Sequence, residues 1–176
     1  MKKKTICFVV VNRANYGRIK ILLTNIKKDK NFRIKIILIS STVLKKYGDL
    51  NKIMSKDQLR ADYECYTHIE GENLQTMTKS TGLILLELSS LFNKIKPDIV
   101  FTVGDRFETL ATSIAASYSN IFLAHLQGGE LSGSIDEKVR HAVTKLADLH
   151  FVSTKRSKKI VEQMGEDPQK VFFVGC

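Results

Sequence analysis

Short apolar runs alternate along this chain with longer stretches in which apolar residues recur at helical spacing. The runs fall at Thr5–Val11, Arg33–Ile39, Tyr63–His68, Asp98–Val103, Ile121–His125, Leu149–Ser153 and Val171–Val174. Apolar runs of this length, bounded by polar or turn residues, read as buried strands. Between them, Arg18–Lys28, Met77–Lys94, Phe107–Ser117, Glu137–Ala147 and Arg156–Met164 place apolar side chains three and four apart, as at Leu83, Leu86, Leu91 and Ile95. This alternation predicts βαβ units, hence an α/β fold. Right-handed crossovers would make it a Rossmann-like parallel sheet with helices on both faces. Pro97 marks a helix stop before the fourth strand. Residues 41–62 are polar and weakly periodic, and suit either a short helix with a loop or a flap.

Length and composition add one domain. The chain has 176 residues, 43% of them hydrophobic, with two prolines, ten glycines and no repeat or low-complexity run, so residues 1–170 read as a single unit with its own core. The formal charge of +10 raises the question of nucleic acid. Lysine outnumbers arginine 21 to 7 and is scattered over turns and helix ends, which argues against that partner. A smaller anion such as a nucleotide diphosphate suits the charge better, drawn to a cleft by the field of the whole domain.

Three cysteines, Cys7, Cys65 and Cys176, without a CxxC spacing, argue against a zinc site or disulfide framework and favour a reducing cytoplasm. The apolar run after Met1-Lys-Lys-Lys stops at Asn12-Arg13 and reads as a first strand, not a targeting segment. Nothing approaches the 18 apolar residues of a membrane span.

In open α/β sheets, ligands bind outside the carboxyl ends of the strands. That rule selects three segments. Asn12–Gly17 carries Arg13 at a strand-to-helix turn, where backbone N–H groups and a planar guanidinium suit phosphate oxygens. An exposed turn arginine is the plain alternative. The segment lacks GxGxxG, which argues against a nicotinamide cofactor. Gly104–Glu108 puts Asp105 where it would cap the next helix, with Arg106 beside it. In Gln127–Glu137, Ser134-x-x-Glu137 has the form of a capping box, and Asp136 and Arg140 would share a helix face. Glu137 and His141 would share the adjacent face, and an ion-paired helix start accounts for the spacing equally well. Acidic groups converging beside arginines would suit proton transfer next to a departing phosphate; the spacing names neither sugar nor reaction.

Four segments carry a resemblance: Lys96-Pro-Asp-Ile-Val, Gly104-Asp-Arg-Phe-Glu, His125-x-x-Gly-Gly-Glu-x-Ser-Gly-Ser-Ile-Asp-Glu and Arg140-His-Ala-Val-Thr-Lys-Leu. With Arg13-Ala-Asn-Tyr-Gly they resemble the hydrolysing UDP-N-acetylglucosamine 2-epimerases of bacterial sialic-acid pathways. The resemblance implies one half of a GT-B-like two-domain fold, with a UDP-sugar in the cleft between halves. It implies no metal or redox cofactor, and a homo-oligomer for the full-length form. Residues 171–176 would begin a crossing segment to a carboxyl-terminal domain, and this chain would be an amino-terminal piece with little activity alone. The alternative is a non-catalytic split-gene subunit that binds a partner chain.

By the same resemblance Asp105, Asp136, Gln127 and Glu130 would be catalytic, and Arg13, Arg106, Arg140 and His141 would bind substrate. Two positions depart from the family pattern. Gln127 stands where the motif commonly has glutamate, and an amide cannot exchange a proton as a carboxylate does. Asn15 stands where aspartate is common.

Overall fold

The structure is a computed structural model that describes residues 3–71 and 73–175; Met1, Lys2 and Cys176 from the segments above lie outside the described residues. Seven strands, β1 (Lys4–Val10), β2 (Phe32–Ile39), β3 (Tyr63–Cys65), β4 (Ile99–Val103), β5 (Phe122–Leu126), β6 (Leu149–Val152) and β7 (Val171–Phe173), form one sheet. Its order is β3-β2-β1-β4-β5-β6-β7 and every pairing is parallel. The Rossmann-like expectation is met, and the order reverses between β1 and β4, which sets the switch point there. Residues 171–173, at the start of the expected crossing segment, form the edge strand β7.

Six helices connect the strands: α1 (Arg13–Lys28), α2 (Leu50–Lys56), α3 (Leu74–Ile95), α4 (Phe107–Tyr118), α5 (Ile135–Leu146) and α6 (Lys155–Gln163). Strand alternation sends Cys7, Val9, Ile37 and Ile39 to one face, where they meet Ile84, Leu88 and Phe92 of α3 and Ala111 and Ala115 of α4. Ile6, Phe8, Val10, Ile36 and Leu38 point to the other, against Tyr16, Ile19 and Leu23 of α1 and Leu50 and Met54 of α2. Each buried aliphatic side chain contributes about 1.5–3 kcal/mol of transfer free energy.

Three element boundaries differ from the sequence reading, each for a local reason. Helix α1 starts five residues early, because the Asn12 side chain accepts the Asn15 N–H at 2.8 Å. Its polar first turn is anchored by buried Tyr16, whose hydroxyl donates to Asp57 at 2.5 Å. Helix α3 starts at Leu74 under a capping box in which Asn73 and Thr76 satisfy one another's backbone N–H groups. Residues 41–62, left open above, hold two 3₁₀ turns (Ser40–Val43 and Lys45–Tyr47) and then α2.

On the α1 face, Phe101, Ala124, Leu126, Leu149 and Phe151 line an open groove of about 600 Å³ with Leu22 and Ile26 of α1. Phe151 stacks on Phe101 and Phe172 at centroid distances of 5.8 and 5.6 Å. So much open apolar surface favours association. Sedimentation of the chain is expected to show mass rising with concentration, and a clean monomer at high concentration would refute this. Among the described residues no helix is long and apolar enough to cross a membrane.

Candidate functional site

The carboxyl ends of β1, β2 and β4 and the start of α3 surround a cleft of about 800 Å³, reached by Arg13, Ser41, Tyr47, His68, Met77 and Arg106. Arg13 opens α1 and runs beneath the 3₁₀ strap at 45–47. A Cβ at Gly48 would lie 1.4 Å from its Nη2, and Gly48 has φ +93°. The positive φ favours glycine there, whereas the Arg13 guanidinium, at the end of a flexible side chain, could shift to admit a Cβ.

Asp105 does not cap the helix after it. The N-cap residue of α4 is Arg106, with no side-chain cap bond. Asp105 reaches across the strand ends and forms an ion pair with Arg140 of α5. Arg140 is buried, and its Nη1 also donates to the Glu130 carbonyl at 2.6 Å and lies 3.4 Å from Ser132 Oγ. Spacing had matched Arg140 with Asp136 on one helix face; tertiary geometry matches it with a carboxylate 35 residues away. A buried guanidinium is costly unless its donors are satisfied; Asp105, the Glu130 carbonyl and Ser132 serve Nη1 and Nη2, while Nε has no partner among the described residues.

The capping box at α5 is also replaced. Ser134 Oγ accepts the Asp136 N–H at 3.2 Å, while the Glu137 carboxylate turns back to the N–H groups of Ser132 (2.6 Å) and Gly133 (2.8 Å). Those hydrogen bonds, Gly133 first and then Ser132, hold the Glu137 pKa below its ordinary value. Asp136 is thereby left exposed at the helix N-terminus, where the helix dipole favours its charge.

Arg106 is not free for a ligand as it stands. Its Nε and Nη2 donate to both oxygens of Glu108, at 3.0 and 3.1 Å. Glu108 is fully buried and also accepts from Ser40 Oγ at 2.9 Å. Burial opposes the charge on Arg106, but the hydrogen bond and charge of Glu108, with the fields of Asp136 and Asp105, raise its pKa overall. The same fields tie Arg106 electrostatically to Asp105 and Asp136.

Gln127 stands apart from the Asp105–Arg140 pair. It follows β5 with φ 70°, and its side-chain oxygen accepts from Arg18 of α1. Glu130 contributes its backbone carbonyl, not its carboxylate, to the Arg140 cluster. His141 lies in the field of Glu137, and its Nδ1 is buried without a hydrogen-bond partner. Glu108, Ser40, Arg18 and His125 were given no role in the sequence reading. Glu108 sits inside a quoted motif, but only the fold shows its carboxylate turned inward. Among the described residues no group of three or more His, Cys, Asp or Glu side chains is placed to hold a metal ion.

His125 is wholly buried, with its Nε2 2.8 Å from the Gly104 carbonyl. Burial first, then the charges of His150 and Arg140, push its pKa down to about 4, against an opposing hydrogen bond to Gly104. The unfolded state, with an ordinary histidine near 6.5, takes up more protons between pH about 6.5 and about 4. Stability therefore falls as pH falls through that window, and His150, shifted down mainly by burial, acts in the same sense. Urea midpoints should drop steadily from pH 7 to pH 4.5; a flat profile would refute the buried neutral histidine.

Residues 24–176 match the model of the family described as UDP-N-acetylglucosamine 2-epimerase. The chain is 34% identical over 173 residues to a UDP-N,N'-diacetylbacillosamine 2-epimerase (hydrolyzing) from Legionella pneumophila, covering 98% of this chain and 46% of that protein. It is 30% identical over 173 residues to a UDP-N-acetylglucosamine 2-epimerase from Neisseria meningitidis, covering 98% and 45%. A crystal structure of a UDP-N-acetylglucosamine 2-epimerase superposes with a TM-score of 0.86 at 25% identity, over 97% of this chain and 48% of that one. The chain thus spans about half the length of the relatives it matches. Its seven-stranded sheet has the fold of one half of these GT-B-like enzymes, and by sequence and fold the chain belongs to the UDP-N-acetylglucosamine 2-epimerase family.

Proposed function

We propose that this chain is the amino-terminal half of a hydrolysing UDP-N-acetylglucosamine 2-epimerase, or of a close relative acting on a UDP-diacetamido sugar. The observation that carries this is the Asp105–Arg140 pair at the switch-point edge of the sheet, with Arg106 in the same electrostatic field and Arg13 at the neighbouring cleft. In the proposed reaction the proton at C2 of the sugar is removed and UDP is expelled from C1. The resulting glycal is hydrated to a free 2-epimeric amino sugar.

Asp105 is the group best held for proton transfer or for stabilising positive charge at the sugar ring, since a buried guanidinium fixes its position. Asp136, exposed toward solvent, suits exchange with water during hydration. Arg13 and Arg106 would hold the diphosphate, Arg106 by releasing part of its contact with Glu108. Arg140 orients Asp105 more than it orients Asp136. Gln127 lies nearest to a structural role through Arg18, and Glu130 to a loop role; neither is given the proton-transfer step. His141, beside Glu137, would line the sugar side of the α5 start.

The hydrolysing chemistry is supported by the relatives named for it from Legionella pneumophila and from Campylobacter jejuni, the latter 32% identical over 176 residues. A carboxyl-terminal half would close the cleft and exclude water from the diphosphate. The test joins this chain to such a half from a relative and follows UDP and free amino-sugar release from UDP-N-acetylglucosamine and from a UDP-diacetamido sugar. Activity in the joined form, at least about 10³-fold above the chain alone, is expected. UDP-linked epimer without free sugar would overturn the hydrolysing assignment, and inactivity on both substrates would favour a partner-binding subunit.

A further inference from the structure

His125 lies in β5, in register with Thr102 of β4 and His150 of β6, on the buried side of the sheet. Its Nε2 is 2.8 Å from the carbonyl of Gly104, the residue that precedes Asp105. A carbonyl only accepts, so the neutral ring carries its proton on Nε2 and leaves Nδ1 as an acceptor. Nδ1 faces the Thr144 hydroxyl at 3.4 Å. The one proton of that hydroxyl goes to the Arg140 carbonyl at 3.0 Å, one helical turn earlier in α5, so the hydroxyl meets Nδ1 as a packing contact. One imidazole therefore touches the backbone that carries Asp105 and, through Thr144, the turn that carries Arg140.

We infer that His125 is a positioning residue that sets the distance between Asp105 and Arg140. The links run from Asp105 to Arg140 by the ion pair, from Arg140 to Thr144 along the helix, from Thr144 to His125 by buried side-chain contact, and from His125 by a hydrogen bond to Gly104, next to Asp105. Strand β4 and helix α5 are separate elements, and beside the Gly104 N–H to Leu126 carbonyl bond and the Glu130 carbonyl on Arg140 the imidazole adds a buried link between them. A charged pair needs a direction as well as a distance. This role rests on reading the Asp105–Arg140 pair as the reacting centre.

The test uses the chain itself and needs no substrate. Proton–nitrogen spectra would follow solvent exchange of the Arg140 guanidinium protons, assigned by Arg140→Lys. His125→Phe keeps an aromatic ring, somewhat larger than imidazole, and removes the donor, and is expected to speed exchange by about tenfold or more, whereas His125→Gln restores a donor and should stay within about threefold of the parent. A folded His125→Phe protein with unchanged Arg140 exchange, or a His125→Gln protein no better than His125→Phe, would overturn the inference. If His125→Phe does not fold, Thr144→Ala removes the side chain that packs on the imidazole: Arg140 exchange about fivefold faster supports the inference and unchanged exchange overturns it. Loss of the epimerase reading would instead appear as absent sugar release from the joined protein, with the exchange result unaffected.

Discussion

Asp105→Asn is expected to lower turnover of the joined, two-half enzyme by about 10³-fold, with KM for the UDP-sugar changed far less. The side chain keeps its volume and an oxygen that can still accept from Arg140, so the hold on the diphosphate proposed for Arg13 and Arg106 is left in place. What is lost is the charge, and with it the capacity to take or give a proton or to face a cationic ring in the transition state. A fall in kcat with KM nearly constant, measured by UDP release, is the pattern of an interaction made mainly in the transition state. A variant that retains more than a third of parental kcat would remove Asp105 from the chemistry and move the search to Asp136.

Gly129→Ala is the second large effect, and it is a loss of folding. Gly129 has φ +75°, and a Cβ there would lie 2.3 Å from the backbone carbonyl oxygen of Ser157 and 2.8 Å from Val161 Cγ2. The left-handed conformation alone costs about 1 kcal/mol for a residue with a Cβ. The backbone clash with α6 adds an overpacking term of about 1–3 kcal/mol, because neither the helix nor the loop can retreat without opening the small core of Val152, Val161 and Val171. The combined loss, about 3 kcal/mol, should appear as a much lower urea midpoint at unchanged slope. An unchanged midpoint would mean that the loop from Gln127 to Gly133 is not seated against α6 as described. The loop also carries Glu130, whose carbonyl holds Arg140, so the same variant should cost activity beyond its effect on stability.

The two predictions separate what reading along the chain can reach from what it cannot. Strand positions, the parallel sheet and the three segments at the strand ends were legible, because burial on both faces forces continuous apolar runs and because crossover handedness leaves few topologies. Helix starts were less legible. The caps of α1 and α3, at Asn12 and Asn73, act through side-chain oxygens that leave no hydrophobic period, whereas the cap of α5 at Ser134 was legible from its spacing to Glu137.

In the site, motif residues were found but their partners were not. Asp105 was assigned to a cap and Arg140 to Asp136 because sequence spacing sees neighbours along one helix and is blind to neighbours across strands. Glu108 passed without a role although it is fully buried and holds Arg106. Its inward turn follows from the approach of Ser40 at the end of β2, a residue 68 positions away with φ 57°. The sequence by itself determined the fold class, the family and the strand ends at which chemistry would sit, since these follow from periodicity and from motifs contiguous in the chain. Only the tertiary structure decided which carboxylate meets which guanidinium, because a buried charge takes the partner that folding brings to it, and that choice depends on distances between elements no local pattern records.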